Sequence, residues 1–211
     1  MAASTVPPPV PSPTVRILEQ ARGLLLGLGY SGFTMDALAA ELAMSKRTLY
    51  QHFRGKDAML RAAISDFGAG MRAEADTLLA QRGVSFAEKL RGLTLTLAER
   101  LGKLRPEVLQ DIARNAPLAY RHLEHVRGET ITHVFGRFIE EGQATGAIRD
   151  DVSPVFAGEF YMHAMQGIMR GDTLRRLHLS PPEASERAIR LFFGGLLTPA
   201  GAKDYEKNFP N

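Results

Sequence analysis

The sequence contains no cysteine, and no apolar run in it reaches the ~20 residues that a membrane-spanning helix needs. Without cysteine the chain forms no disulfide bond, uses no thiolate for catalysis and holds no cysteine-ligated zinc. Residues 1–13 lack both a basic region and an apolar run, so they do not have the pattern of a secretory signal. Together these absences predict a cytoplasmic protein that does not enter a membrane.

Sequence signatures of catalysis are absent as well. There is no glycine-rich phosphate loop, no nucleophile elbow and no paired-carboxylate motif. Valine, isoleucine and threonine show no sustained alternation with polar residues, which argues against a β-sheet. We therefore predict an all-α protein that is not an enzyme and that uses no cofactor and no bound metal.

Positive charge is concentrated in one short segment. The whole chain has a formal net charge of +3, whereas the segment from Ser45 to Arg61 contains a single acid, Asp57. A basic segment on a mildly charged protein is typical of a nucleic-acid contact, and a solvated basic face is the alternative. The basic residues of the segment are Lys46, Arg47, Arg54, Lys56 and Arg61.

The first part of the chain combines a proline-rich tail with one helix. The prolines among residues 1–13 oppose both helix and sheet, so this tail is predicted to be disordered or polyproline-like. From Thr14 to Leu28 the apolar residues recur at helical spacing. Gly29 is suited to end that helix.

Two short helices follow, and their spacing predicts a helix-turn-helix. Thr34 and Ser45 are placed to cap helices over residues 35–42 and 46–53, which a short turn separates. The second of these helices has only a narrow apolar edge, so most of it must be exposed. Its exposed side chains can all donate hydrogen bonds: Lys46, Arg47, Thr48, Tyr50, Gln51 and His52.

The rest of the sequence also predicts helices, from capping boxes, prolines in first turns and apolar spacing. They run from Asp57 to Leu79, from Ser85 (with Glu88) past Leu97, from Pro106 to Asn115, from Leu118 to Glu141, from Ser153 to Arg170 or Arg176, and from Ser180 (with Glu183) to Phe193.

The helix-turn-helix segment also carries a recognisable pattern. Residues 32–39 are Gly-Phe-Thr-Met-Asp-Ala-Leu-Ala, and residues 44–53 are Met-Ser-Lys-Arg-Thr-Leu-Tyr-Gln-His-Phe, followed by Lys56 and Asp57. This pattern resembles the DNA-binding domain of the TetR family of bacterial transcription regulators. Arg47 departs from the family pattern, because many members have a small residue there, and this change is expected to alter base preference.

The resemblance implies that the second short helix enters the major groove, where base edges carry distinct donors and acceptors. Lys46 and Arg47 would then read guanine, and Gln51 would read adenine. Packing for Tyr50, a helix cap for His52 and simple solubility for the two basic residues are the alternatives. The predicted DNA contacts are Thr34, Ser45, Lys46, Arg47, Thr48, Tyr50, Gln51, His52 and Lys56.

The resemblance further implies the domain organisation. We expect an N-terminal three-helix helix-turn-helix domain over residues 14–60 and a C-terminal helical domain for ligand binding and dimerisation over residues 61–199. A C-terminal tail is expected over residues 200–211. The helix over residues 57–79 is expected to be the only element that joins the two domains.

A homodimer is expected, because one recognition helix reads only a few base pairs and two copies would read two half-sites. In the family the last two helices usually form this interface. The residues predicted for it are Val155, Gly158, Met162, Gly167, Ile189, Phe192 and Phe193. A ligand pocket is predicted at Phe160, His163, Met165 and Met169. Methionine adapts to varied apolar shapes, and core packing is the alternative for both sets.

One helix face carries residues at metal-ligand spacing. His125, Glu129 and His133 recur every four residues, with His122 a turn earlier. Such a face more often is solvated or packs against a partner helix, and we predict no metal there.

The predicted function is a sequence-specific repressor that leaves its operator when a small, apolar or amphipathic ligand binds. A DNA-binding regulator without a small-molecule ligand, either architectural or controlled by a protein partner, is the alternative. A closed cavity of ~300 Å³ or more among the C-terminal helices would favour the repressor.

Overall fold

The computed structural model describes residues 12–209, which form eleven α-helices and no β-strand. The all-α class predicted from the sequence is confirmed. The helices are α1 (Pro13–Gly32), α2 (Met35–Glu41), α3 (Lys46–His52), α4 (Lys56–Leu79), α5 (Phe86–Leu101), α6 (Pro106–Asn115), α7 (Pro117–Ala144), α8 (Pro154–Ile168), α9 (Gly171–Leu177), α10 (Pro181–Gly194) and α11 (Pro199–Asn208). Within residues 12–209, no helix is both long and apolar enough to span a membrane. The predicted N-terminal tail lies outside these residues, except for its last two, which begin α1.

Side-chain caps begin the short helices where the sequence predicts them. The Thr34 hydroxyl accepts a hydrogen bond from the Ala37 N–H at 3.1 Å, and the Ser45 hydroxyl accepts one from the Thr48 N–H at 3.0 Å. Each cap satisfies an N–H group that has no partner within its helix. The capping boxes predicted at the starts of α5 and α10 are confirmed as well.

Of the two ends predicted for the helix after Ser153, the structure agrees with the shorter, near Arg170: α8 ends at Ile168, and α9 is a separate helix. The break lies at Met169 and Arg170, and α9 begins at Gly171, which is buried against α6. A β-carbon on Gly171 would lie 2.7 Å from the Pro106 carbonyl oxygen, so only glycine allows this close approach. The packing of α9 on α6 therefore explains the glycine at the start of α9, a contact that the local sequence pattern does not reveal.

The residues predicted as a C-terminal tail contain α11. Thr198 caps this helix, and the rings of Tyr205 and Phe209 stack with centroids 4.3 Å apart. The Asp204 carboxylate accepts a hydrogen bond from the Ala87 N–H of α5 at 3.4 Å. Residues 199–209 are thus packed against the C-terminal domain.

Three apolar clusters make up the core. The first holds the helix-turn-helix together around Leu38 and Leu49, which are fully buried. The second fills the C-terminal domain around Phe138 and Phe193. The third joins α4, α6 and α7, and Leu25 of α1 packs against it. Because α4 contributes to all three clusters, the limits proposed for the two domains at residues 60 and 61 stay a prediction.

Candidate nucleic-acid interface and cavity

A tight turn sets the angle between α2 and α3. Ala43 lies in this turn with a φ of 52°, and the next N–H group, that of Met44, donates to the Ala39 carbonyl at 2.9 Å. Leu38 of α2 and Leu49 of α3 are both fully buried beneath it. The buried pair fixes the inner sides of the two helices, so the outer side of α3 remains open.

That outer side brings together most of the predicted DNA contacts. Five of them on α3 are exposed and Thr48 is half-buried; the exposed five are Lys46, Arg47, Tyr50, Gln51 and His52. Tyr50 is 50% exposed, so packing does not explain its position. The surface formed by α3 can therefore present a row of hydrogen-bond donors to a ligand as broad as a DNA groove.

Some of these side chains already have partners. Lys46 Nζ lies 2.7 Å from Asp36 Oδ2, and His52 Nδ1 lies 3.3 Å from Thr14 Oγ1. Both members of the Lys46 pair are largely exposed, so the pair contributes little free energy and is easily exchanged for another contact. Arg47 forms no ion pair with a residue in the described range 12–209.

Lys56 is less available than its sequence position suggests. It is half-buried, and its Nζ lies 4.1 Å from the centre of the Tyr30 ring. Burial lowers the pKa of Lys56, although Asp111 and Asp57 act in the opposite direction. Its predicted DNA contact therefore competes with packing on an aromatic face. Arg54, in the loop before α4, is exposed and was not among the predicted contacts.

A cavity of about 210 Å³ lies behind the helix-turn-helix. Its walls are almost entirely apolar and come from α1, α4, α5, α6, α7, α8 and the start of α10. Met165 and Met169, two of the four predicted pocket residues, line it. Phe160 and His163 do not, because they lie on the opposite, exposed side of α8.

The same cavity reaches the helix-turn-helix through α6. Val108, Leu109 and Ile112 of α6 line the cavity, and α6 also packs on α1. Arg105, just before α6, donates from Nη2 to the Gly27 carbonyl at 2.9 Å. The expectation that α4 alone joins the two domains is therefore wrong: α6 makes a second connection, which the sequence pattern does not reveal.

Further along α6, Asp111 holds the end of α1. It accepts hydrogen bonds from the Ser31 N–H at 2.8 Å and from the Ser31 hydroxyl at 2.5 Å, and Asn115 Nδ2 donates to it at 2.7 Å. Burial opposes the charge of Asp111, but these bonds and one from the Tyr30 backbone outweigh burial and keep its pKa below the usual value. Gly29 has a φ of 74°, and a β-carbon there would lie 2.6 Å from Asp111 Oδ2. Glycine is needed at this point for both reasons.

Tyr30 extends this network to the start of α4. Its hydroxyl donates to the Asp57 carboxylate. Burial, together with this hydrogen bond, raises the pKa of Tyr30 to about 12. We call the residues that join α1, α4 and α6 here the junction network: Tyr30, Ser31, Asp57, Arg105, Asp111 and Asn115.

Comparison with known proteins agrees with this geometry. Residues 17–63 match the family described as bacterial regulatory proteins, tetR family. The chain is 25% identical over 190 residues to the transcriptional regulator UidR of Escherichia coli, an alignment that covers 87% of this chain and 92% of UidR. It is 25% identical over 160 residues to the repressor DhaR of a Mycobacterium species, covering 72% of this chain and 77% of DhaR. The chain is a TetR-family transcriptional regulator.

Two further comparisons, one of sequence and one of structure, support less about this chain. YvaF of Bacillus subtilis, an HTH-type transcriptional regulator, is 30% identical over 99 residues, which are 47% of this chain and about half (52%) of YvaF. The structure of FadR from Bacillus subtilis in complex with stearoyl-CoA matches with a TM-score of 0.60 and 13% identity, covering 86% of this chain and 98% of that one. At this identity the likeness shows the fold alone.

Membership of the TetR family carries general expectations. Its regulators bind DNA as dimers and often bind small molecules. The relatives named above are regulators rather than enzymes, in agreement with the predicted non-enzymatic role.

The TetR-family regulator has an exposed apolar surface on α8 and α10. We call it the outer apolar face, and it consists of Val155, Phe156, Phe160 and Leu191, which are 73%, 68%, 61% and 83% exposed. Of the residues predicted for a dimer interface, Val155 and Gly167 are exposed, and Met162 and Phe192 are half-buried. Gly158 is buried in the subunit, although a β-carbon there would meet no atom within 4 Å.

Ile189 and Phe193 correct the predicted interface. Both are fully buried inside the subunit, and the Phe193 ring packs on those of Phe86 and Phe135. They lie on the inner side of α10, whereas Leu191 is on its outer side. An apolar stripe on a helix shows that something covers it, but it does not show which stripe faces the subunit's own core.

The histidines of α7 do not form one site. His122 Nε2 lies 2.8 Å from the Ser65 hydroxyl, and His133 Nε2 lies 3.2 Å from Asp76 Oδ1, so both connect α7 to α4. His125 is exposed and lies 3.3 Å from Glu129 on its own helix.

Proposed function

We propose that this TetR-family regulator is a homodimeric repressor that binds operator DNA through α3 and leaves it when a small molecule occupies the cavity. One observation carries the proposal. The exposed donors of α3 and the apolar cavity share the same supporting elements, because α1, α4 and α6 line the cavity and also hold the helix-turn-helix. The relative DhaR is named a repressor, which supports the direction of regulation.

On DNA, the exposed side of α3 would lie in the major groove. Arg47 would donate to guanine and Gln51 to adenine, the pairings that the donor and acceptor pattern of the bases favours. Tyr50 and the exposed Arg54 would contact phosphates, which fix register without reading sequence. Lys46 would leave its ion pair with Asp36 and contact the DNA instead.

The outer apolar face would form the dimer. Large exposed apolar side chains that lie together are typical of an interaction surface. Four such residues, on α8 and α10, are exposed in the subunit. A twofold dimer would pair this face with itself and place two copies of α3 on two half-sites.

A ligand in the cavity would act through α6 and α4 together. Ile112 of α6 and Ile64 of α4 both line the cavity, and the junction network connects both helices to the end of α1. A small shift of either helix would change the spacing of the two α3 helices. Operator half-sites need that spacing to be one DNA turn, ~34–36 Å, or a multiple of it.

A regulator without a small-molecule ligand is the second candidate. One observation favours it: at about 210 Å³ the cavity is smaller than the ~300 Å³ expected of a ligand pocket. In that case a protein partner or DNA architecture would set the regulatory state.

The proposal is tested first by sequencing the DNA fragments that the purified protein retains from a random pool. Enrichment of one inverted repeat is expected, and retention of fragments without a shared sequence would contradict sequence-specific binding. Because the chain has no cysteine, Ala40→Cys introduces a single site for a spin label outside the predicted base contacts. The label-to-label distance in the dimer should change when a ligand releases the operator. Release with an unchanged distance and spread would reject the spacing mechanism.

A further inference from the structure

Two buried residues that carry a hydroxyl group line the cavity, and no hydrogen bond joins either hydroxyl to another group among residues 12–209. Tyr161 is 3% exposed, and its ring stacks on Phe135 with centroids 3.8 Å apart. Ser185, at the start of α10, is 4% exposed. A buried tyrosine hydroxyl usually has a partner, because an unpaired polar group in the interior costs free energy. Burial raises the pKa of Tyr161, so its hydroxyl stays protonated and is available as a donor.

The charges at the cavity are already balanced within the protein. Three arginines line it, and each is paired with a carboxylate. The pairs are Arg22 with Asp66 (2.9 Å), Arg127 with Glu124 (2.8 Å) and Arg100 with Glu74. Arg22 Nε is buried without a hydrogen-bond partner in the described chain, and it adds a donor but no unbalanced charge. An anion would lose its hydration here without gaining a counter-charge, which is strongly unfavourable.

The volume limits the size of an occupant. The cavity measures about 210 Å³. An engineered apolar cavity of roughly 150 Å³ binds benzene, so this one has room for an aromatic ring with a short substituent. A molecule as large as the stearoyl-CoA in the FadR complex would not fit in it.

We propose that the cavity binds a neutral, mostly apolar molecule of about one aromatic ring with a short substituent, whose oxygen accepts a hydrogen bond from the Tyr161 hydroxyl. Ser185 and Arg22 Nε are further polar groups of the same cavity, and the stacked rings of Phe135 and Tyr161 provide the aromatic wall. The inference rests on the proposed small-molecule function and adds the charge, size and polar contact of the ligand.

Three probes of equal size separate these features. Acetophenone carries a neutral acceptor, isopropylbenzene has the same shape without an acceptor, and benzoate is the corresponding anion. Dissociation constants are measured by calorimetry on the full-length protein. Both neutral probes should bind more tightly than benzoate, and only acetophenone should depend on the Tyr161 hydroxyl.

Tyr161→Phe removes only the hydroxyl. It should weaken acetophenone binding about 3- to 10-fold, the usual effect of one hydrogen bond, and leave isopropylbenzene binding within about twofold. Tyr205→Phe is the matched control, because the Tyr205 hydroxyl has no hydrogen-bond partner in the described residues either, and Tyr205 lies outside the cavity. It should change none of the three dissociation constants. Both variants should melt at or above the temperature of the parent protein, since neither loses a hydrogen bond.

Three results would overturn the inference. Benzoate binding as tightly as acetophenone would mean that the cavity accepts anions. An equal loss of affinity for acetophenone and isopropylbenzene in Tyr161→Phe would mean that the ligand accepts no hydrogen bond from Tyr161. If none of the three probes bound, the proposed class of ligand would be wrong. Failure of the proposed function looks different: acetophenone would bind as described, with the Tyr161 dependence, yet operator affinity would not change.

Discussion

At the scale of single residues, Arg47 is the side chain that we propose reads a base. It is exposed on the outer side of α3, one turn before Gln51. Lys46 beside it shares its charge with Asp36, whereas Arg47 has no such ion pair in the described part of the chain. An arginine that is free to turn into the major groove can bind guanine through two hydrogen bonds.

Replacing Arg47 with alanine should cost about 1–3 kcal/mol of binding free energy at one operator position in each half-site and relax base choice there. Affinities for a set of single-base operator variants provide the measurement. Arg54→Ala is the comparison, because a phosphate contact should weaken binding to every variant alike and flatten the salt dependence by roughly one per half-site. If Arg47→Ala lost the same affinity for every operator variant, Arg47 would contact a phosphate and not a base.

At the scale of elements, the turn of the helix-turn-helix contains a small strain. Ala43 is in the left-handed region, with a φ of 52°, where a β-carbon crowds the backbone. The burial of Leu38 and Leu49, which this turn brings together in the cluster beneath it, offsets the conformational free energy that Ala43 costs.

Ala43→Gly should therefore raise the free energy of unfolding by about 0.5–1 kcal/mol, as glycine adopts this conformation without crowding. Chemical denaturation measures the change. Ala40→Gly, at an exposed position inside α2, is the control and should lower stability by about 1 kcal/mol. Two changes of the same sign would show that the turn is not strained.

The junction network is the second feature at this scale. Asp111 carries most of the contact between α6 and the end of α1, through the backbone and side chain of Ser31. Since the folded protein holds the pKa of Asp111 below its usual value, the stability from these bonds is complete above about pH 4 and is lost as pH falls through the folded pKa.

Asp111→Ala should destabilise the regulator by about 1–3 kcal/mol, because the Ser31 donors lose a charged acceptor. It should also reduce the factor by which a cavity ligand weakens operator binding, a factor that is typically 5–150 and reciprocal between the two sites. Denaturation and operator titrations with and without acetophenone measure the two effects. Arg114 is exposed on the same helix, and Arg114→Ala is the control. Its free energy of unfolding should stay within about 0.5 kcal/mol of the parent protein, and the ligand should weaken its operator binding by the full factor. If a cavity ligand weakened operator binding of Asp111→Ala by the same factor as in the parent protein, the coupling between the two sites would run through α4 and not through Asp111.

At the scale of the whole molecule, the outer apolar face is what the subunit leaves uncovered. Its four side chains lie on two helices whose inner sides fill the C-terminal core. Leu191 is 83% exposed while Phe193, two residues later, is fully buried. Water contact of this extent is unfavourable, and a second subunit would remove it.

Phe156→Glu should convert the dimer to monomers without unfolding the subunit, because this side chain is 68% exposed. In a twofold interface one substitution introduces two charges, which doubles the penalty. Analytical ultracentrifugation measures the mass, and circular dichroism checks the helices. Leu95→Glu, a similarly exposed apolar position on α5, is the control and should remain dimeric. If Phe156→Glu remained a dimer, the interface would lie on another surface.

Local sequence determined the helices that begin with caps and the outer side of α3. Thr34, Ser45 and Ser180 each act on an N–H group within the next three residues, so their effect is visible in the sequence. The exposure of α3 could also be predicted, since its only apolar positions lie on one narrow edge. These interactions span a few residues, and they do not depend on what the rest of the chain does.

Tertiary structure alone decided the features that join distant residues. Asp111 contacts Ser31 across 80 positions of the chain, and α9 begins with Gly171, where only glycine fits against α6. Apolar spacing could not show that Met165 lines a cavity while Phe160 faces outward, since both lie on the same amphipathic helix. Helical periodicity places side chains on faces, but which neighbour covers a face depends on how all the helices pack together.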